Sequence, residues 1–223
     1  MADFFPSHPF KLEIIDRIHP QRSEIENYIA QRYSLAFDAH LNSFMPTFMA
    51  LMEGEEIRSL CGFRVASDES LFLEQYLDEP ADQLLNKVFH RSLSDQSVNH
   101  PAENSTQPRI ERSKLIEFGQ LASFSKGFST LHFLLMTQKL VESGYEWCIF
   151  TATDPLYAMM SRLGLETTVL AEADPSRIPD ATYTWGNYYQ HQPRIVAGNL
   201  KQGLAHLEAL FAEKVCRARG GAL

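Results

Sequence analysis

Apolar and polar positions alternate in FKLEIID (10–16), which predicts a first strand ended by His19 and Pro20. From 23 to 37, Ile25, Tyr28, Ile29 and Leu35 recur at helical spacing, with Ser23 as N-cap and Glu26 completing a capping box. A polar loop with Asp38, His40 and Asn42 follows. The apolar runs 47–53 and 57–66 flank the turn Gly54-Glu55-Glu56 and predict a β-hairpin, in which Gly62 marks a bulge or a close approach. The run 71–80 mixes aromatic, aliphatic and acidic residues up to Pro80. It reads either as a short strand or turn covering the core edge, or as a pocket wall offering carboxylates to an amine-bearing substrate. Residues 81–93 can form a helix, and the polar stretch 94–108, with two prolines and no apolar period, reads as a mobile loop or flap.

The most informative stretch runs from 114 to 142. It reads as a strand with Glu117 embedded, a Ser/Lys/Gly loop over 123–130, and a long apolar helix in which His132 reads as structural. If the strand is regular, Leu115, Glu117, Gly119 and Leu121 share one face. A carboxylate among core-facing positions is costly unless it is paired or lies at the floor of a cavity, so Glu117 is either salt-bridged to a buried Arg or poised as a base. A helix that starts after a glycine loop leaves free N–H groups at its positive pole, an arrangement that suits a phosphate. Residues 145–153 form a second buried strand, and Asp154-Pro155 opens the next helix, which Gly164 closes. These elements argue a βαβα arrangement with its crevice at the strand C-terminal ends. Trp185, Tyr188 and Tyr189 supply contact area, RIVAG (194–198) is another strand, and a last helix spans 200–218. Asn199 and Gln202 cap that helix, and Leu204, Leu207, Leu210, Phe211 and Val215 form its stripe.

Composition narrows the class. The 223 residues suit one domain, 44% hydrophobic and 22% charged, and the net charge of −8 argues against a general nucleic-acid or anionic-membrane binder. Cys61 and Cys148 lie in apolar runs, as expected of core residues in a reducing compartment. There is no basic-then-apolar leader at the start and no run of about 18 apolar residues. A cytoplasmic location without a membrane-spanning segment is therefore expected. G-x-S-x-G, Walker A, H-E-x-x-H, G-x-G-x-x-G and C-x-x-C patterns are absent, and no metal is expected.

The order of elements resembles the Gcn5-related N-acetyltransferase fold, and IEFGQLAS (116–123) looks like the acid-bearing strand of acyl-homoserine lactone synthases. LFLEQYLDEP, IEFGQLAS, CIFTATD, SRLGLE, ADPSRI and WGNYY–P–RIVAG together resemble the thermostable hemolysin family. The resemblance covers about residues 10 to 200. It implies an α+β fold of αβα layers, with a mixed, mostly antiparallel sheet flanked by helices. It also implies an acyltransferase taking an acyl group from acyl-CoA or acyl-carrier protein to a small amine.

On that reading Glu117 is the catalytic base. Leu121, Ala122, Ser123, Ser125, Lys126, Gly127, Phe128 and Ser129 hold the donor's phosphate or pantetheine, with Thr151 and Thr153 orienting the thioester. Glu74, Tyr76 and Asp78 face the acceptor. The loop departs from the acetyltransferase pattern, with the single glycine Gly127 followed by the bulky Phe128. Gly119 stands where the lactone synthases carry an arginine two places after the acid, which speaks against homoserine lactone synthesis. The alternatives are a membrane-active lytic protein acting through the 200–218 helix, or a degenerate fold that only binds acyl-CoA. A homodimer is left open.

Overall fold

Residues 10–94, 109–123 and 129–220 are described by the computed structural model. In chain order the elements are β1 (Phe10–Ile15), α1 (Arg22–Phe37), β2 (Thr47–Glu53), β3 (Glu56–Val65), α2 (Ala81–Ser94), β4 (Leu115–Ser123) and α3 (Ser129–Glu142). There follow β5 (Trp147–Ala152), α4 (Asp154–Arg162), β6 (Thr168–Glu172), α5 (Ala181–Trp185), β7 (Arg194–Asn199) and α6 (Leu200–Gly220). The segment 95–108, read from sequence as a mobile loop, and residues 124–128 lie outside the described residues.

Seven strands pair in the order β1-β2-β3-β4-β5-β7-β6. Only β4 and β5 run parallel; the other pairs are antiparallel. This is the expected mixed, mostly antiparallel α+β sheet, and the hairpin lies at β2–β3 as its turn predicts. The one parallel pair is the one joined by α3, since a parallel step requires a crossover.

Alternation along the strands divides the core between two faces. On the front face, α1 buries Ile25 and Ile29 against Ile15, Phe48 and Leu60, while α2 sets Ala81 and Leu85 against Leu115 and Ile149. On the back face Phe133, Leu134 and Leu140 of α3, Met160 of α4 and Leu207 of α6 pack on Cys61, Ile116, Cys148 and Val196. The stripe of α6 is thus spent within the domain, through Leu204, Leu207 and Phe211. No helix among the described residues is long and apolar enough to cross a membrane.

Two local expectations change, and the choice left open for 71–80 is narrowed. α1 begins at Arg22 without a side-chain cap, so Ser23 is not the N-cap. Glu26 instead pairs with Arg22 at 2.7 Å, and that guanidinium donates to the carbonyls of Pro46 and Met45. Of the strand and turn readings of 71–80, the turn is the one formed, as a 3₁₀ turn over residues 72–76. β4 is not regular: Gln120 has φ +52° and the β3–β4 register slips between Leu60 and Gly62. The bulge moves Leu121 onto the back face, opposite Glu117, where it packs with Phe118. At the other end of the chain the capping signal holds in part. Asn199 Oδ1 accepts the Gln202 N–H at 3.0 Å, while the Gln202 side chain turns to Glu166.

Candidate functional site

Glu117 projects from the front face of β4 and is 3% exposed. Its direct cross-strand partner is Arg64 on β3, whose Nε lies 3.3 Å from Oε2. The 3₁₀ turn closes over the carboxylate from above, and the N–H groups of Phe72 and Leu73 donate to its two oxygens at 2.7 and 3.1 Å. Burial pushes the carboxyl up to about 7, against the lowering pull of Arg64 and the two N–H donors. The two sequence readings therefore meet in one residue. Glu117 is paired with an arginine, and it also stands at the wall of a cavity with a proton affinity suited to a base.

That cavity exists because β4 and β5 part company. Their ladder runs from Leu115/Trp147 to Phe118/Phe150 and stops. From there the bulge at Gln120 turns β4 away, and the gap opens into a space of about 510 Å³. Its front half is walled by the aromatic group Tyr33, Phe37, Phe72, Trp185 and Tyr188, whose rings meet edge-on or tilted at 5.1–6.3 Å. Its back half is walled by Phe133, Met136, Met160 and Leu207. A left-handed non-glycine residue costs on the order of 1 kcal/mol, and here it aims the Gln120 amide. Oε1 accepts the Met45 N–H at 2.9 Å and Nε2 donates to the Ser43 carbonyl at 2.8 Å, pinning the loop after α1 across the opening.

The structure brings Glu117, Leu121, Tyr76, Thr151 and Thr153 together on the wall of this cavity. Tyr76 shares a hydrogen bond with Tyr189 between their hydroxyls at 2.7 Å. Ala122 is buried with Ile15 and Ile25 away from the cavity, and the Ser123 carbonyl accepts from Arg32. Ser129 heads α3, and Ser125, Lys126, Gly127 and Phe128 lie outside the described residues. Glu74 and Asp78 do not line the cavity. Glu74 accepts from Arg112 at 2.6 Å and from the N–H groups of Leu71 and Ala81, tying the 3₁₀ turn to α2. Burial alone would raise its pKa, but the Arg112 bond and those N–H groups outweigh it and hold the carboxyl below its ordinary value. Asp78 is exposed and pairs with Arg177. Arg64 and Gln120, central to the site, carry no local sequence signal, because their roles depend on β3–β4 register. The Trp185 Nε1–H is buried without a hydrogen-bond partner among the described residues, a donor free for a ligand. No cluster of His, Cys, Asp and Glu suited to a metal ion occurs among the described residues.

Against known proteins, the family model described as thermostable hemolysin matches residues 15–204. No curated protein matches. Among solved structures, the acyl-homoserine lactone synthase LasI is similar at TM-score 0.50 and 12% identity, over 91% of this chain and 95% of that one. TofI is similar at TM-score 0.53 and 11% identity, over 89% and 96%. The CoA-dependent acyl-homoserine lactone synthase BjaI, in a structure with SAM and isopentyl-CoA, gives 0.52 and 10%, over 91% and 90%. At such identities the likeness is one of fold alone.

Proposed function

The chain belongs to the thermostable hemolysin family, and from that footing we propose that it is an acyltransferase, moving an acyl group from acyl-CoA or acyl-carrier protein to a small amine. The observation that carries this reading is Glu117, a buried carboxylate with a pKa near neutrality on the wall of a cavity formed where β4 and β5 separate. The fold it shares with the CoA-dependent synthase BjaI supports the same reading.

The residues fit a thioester donor. Beyond Phe118, β4 has no strand paired on its β5 side among the described residues, which leaves the backbone after the Gln120 bulge open to a ligand that carries amides. Thr151 and Thr153 line the cavity, and the positive pole at the start of α3, Ser129, suits the anionic end of such a donor.

In the reaction the amine nitrogen attacks the thioester carbonyl carbon. An N–C bond forms, the C–S bond breaks, and the electron pair leaves on sulfur. Glu117 takes the proton the nitrogen sheds, and that proton is returned through solvent to the departing thiolate or the bulk. Arg64 and the Phe72 and Leu73 N–H groups hold the carboxylate in place, while the aromatic front wall shelters the acceptor from water.

Substituting Glu117→Gln keeps the shape and removes the base. Turnover of an acyl-CoA or acyl-carrier protein with a panel of amines should fall at least about a hundredfold, with donor binding by titration calorimetry retained. The wild-type rate should climb with pH to a plateau above about 7, where Glu117 is ionised. Unchanged turnover in the variant removes Glu117 as the base. Wild-type protein that neither binds nor turns over any thioester removes the reading itself.

A further inference from the structure

The cavity is larger and more divided than acetyl transfer needs. Benzene fills a dry pocket of about 150 Å³, and here the space is about 510 Å³. It also passes through the sheet: Glu117 and the aromatic wall are on the front face, and Phe133, Met136, Phe150, Met160 and Leu207 are on the back. An acceptor engaging Glu117 occupies the front half and has no contact with the back. The back half is lined mainly by apolar side chains, with Thr137 of α3 and two unreactive thiols among them. Burial pushes both Cys61 and Cys148 up to about 12. Its methionines can bend to a flexible chain, and the exposed Glu166 marks its outer rim.

Gly203 gives this half its depth. It lies inside α6, where glycine weakens a helix relative to alanine. Packing does not demand it, since a Cβ built there meets only Leu165 Cδ2, at 3.9 Å. A Cβ on Gly203 would lie beside Leu165, which also lines the cavity, so a larger side chain there narrows the wall that Gly203 forms.

We propose that the back half of the cavity seats an aliphatic acyl chain of about eight carbons or more, and that Gly203 sets the longest chain accepted. This deepens the acyl-transfer reading and rests on it for the identity of the donor, while the seat itself can be tested apart from turnover.

Full-length protein is titrated with saturated CoA thioesters from acetyl to palmitoyl, and with the free fatty acids of the same lengths. Affinity should rise about three- to fourfold per methylene until the arm is full. Gly203→Leu should cut binding of the longest chains at least tenfold and move the optimum to shorter ones. Gly203→Ala should shorten the optimum by less than Gly203→Leu, and Met160→Trp, which fills the arm from α4, repeats the test if Gly203→Leu does not fold. A profile flat in chain length, or unchanged in both bulky variants, overturns the proposal and leaves acyl transfer standing. Fatty acids that bind by length and are expelled by Gly203→Leu, from a protein that ignores every CoA and carrier-protein thioester, support the seat and defeat the transfer reading.

Discussion

Two buried titratable side chains oppose one another as pH changes. Glu117 has a folded pKa of about 7 against an ordinary 4.5. The native state therefore keeps a proton that the unfolded chain has released, and stability falls as pH rises from 4.5 to about 7. His132 is fully buried between α3 and the sheet. Its Nε2–H donates to the Met49 carbonyl and its Nδ1 accepts the Ser59 hydroxyl, so it is held neutral. Burial lowers it from 6.5 to about 4, so stability falls as pH drops through that window. Each contribution is on the order of 3 kcal/mol and they nearly offset. Urea unfolding at about pH 5 and pH 7.5 should separate them. Glu117→Gln should lose stability on acidification, while His132→Gln should gain it; equal slopes in the two variants would show that neither residue titrates as described. His132 was legible in the sequence as a structural residue from its place in an apolar helix. The partners of Glu117 were not, because a register that sets Arg64 opposite it is fixed by chain segments about fifty residues apart.

At the scale of elements, what periodicity signals was readable: the hairpin, the long helices, and a strand–loop–helix around Glu117. What depends on a single unusual backbone angle was not. Gly62, which marks a bulge or a close approach in the sequence, does border the register slip and faces Gly119, but nothing at Gln120 itself announces its left-handed backbone, so regular alternation puts Leu121 on the wrong face. The acidic run 71–80 shows the same limit. Its composition suggested carboxylates facing a substrate, but the folded chain spends Glu74 on joining a turn to α2 through Arg112, which sequence spacing cannot show.

The glycines divide by mechanism. Gly186 has φ +53°, and a Cβ there would lie 2.1 Å from the Phe37 carbonyl oxygen, where the α5 segment crosses the end of α1. Gly186→Ala should destabilise by more than about 3 kcal/mol. Gly203→Ala should stabilise by roughly 0.5–1 kcal/mol. Calorimetric melting of both variants checks the contrast, and a neutral Gly186→Ala would mean that the α1–α5 crossing yields easily.

Over the whole molecule, the site belongs to no single element. Glu117 comes from β4, its partners from β3 and the turn before α2, and the two cavity walls from opposite faces of the sheet. A ligand that fills such a space joins the front and back cores. An acyl thioester at a hundred times its Kd adds about 2.7 kcal/mol, which in a chain of this size raises Tm by roughly 5–10 °C. Acetate at the same concentration should leave the melt unmoved. A melt unmoved by every thioester would mean that the cavity takes no such ligand.

The hydrogen bonds from Phe72 and Leu73 tie the charge on Glu117 to the turn that holds it. An ionised carboxylate can accept both N–H groups, but once it carries a proton one oxygen becomes a hydroxyl and one of those donors is left poorly satisfied. Phe72 stands in the aromatic wall that encloses the acceptor. Gain of a proton at Glu117 would therefore loosen the hold of the turn on this wall, and loss of it would tighten that hold. On the acyl-transfer proposal, the proton Glu117 takes would then bear on how firmly the front chamber holds what lies in it.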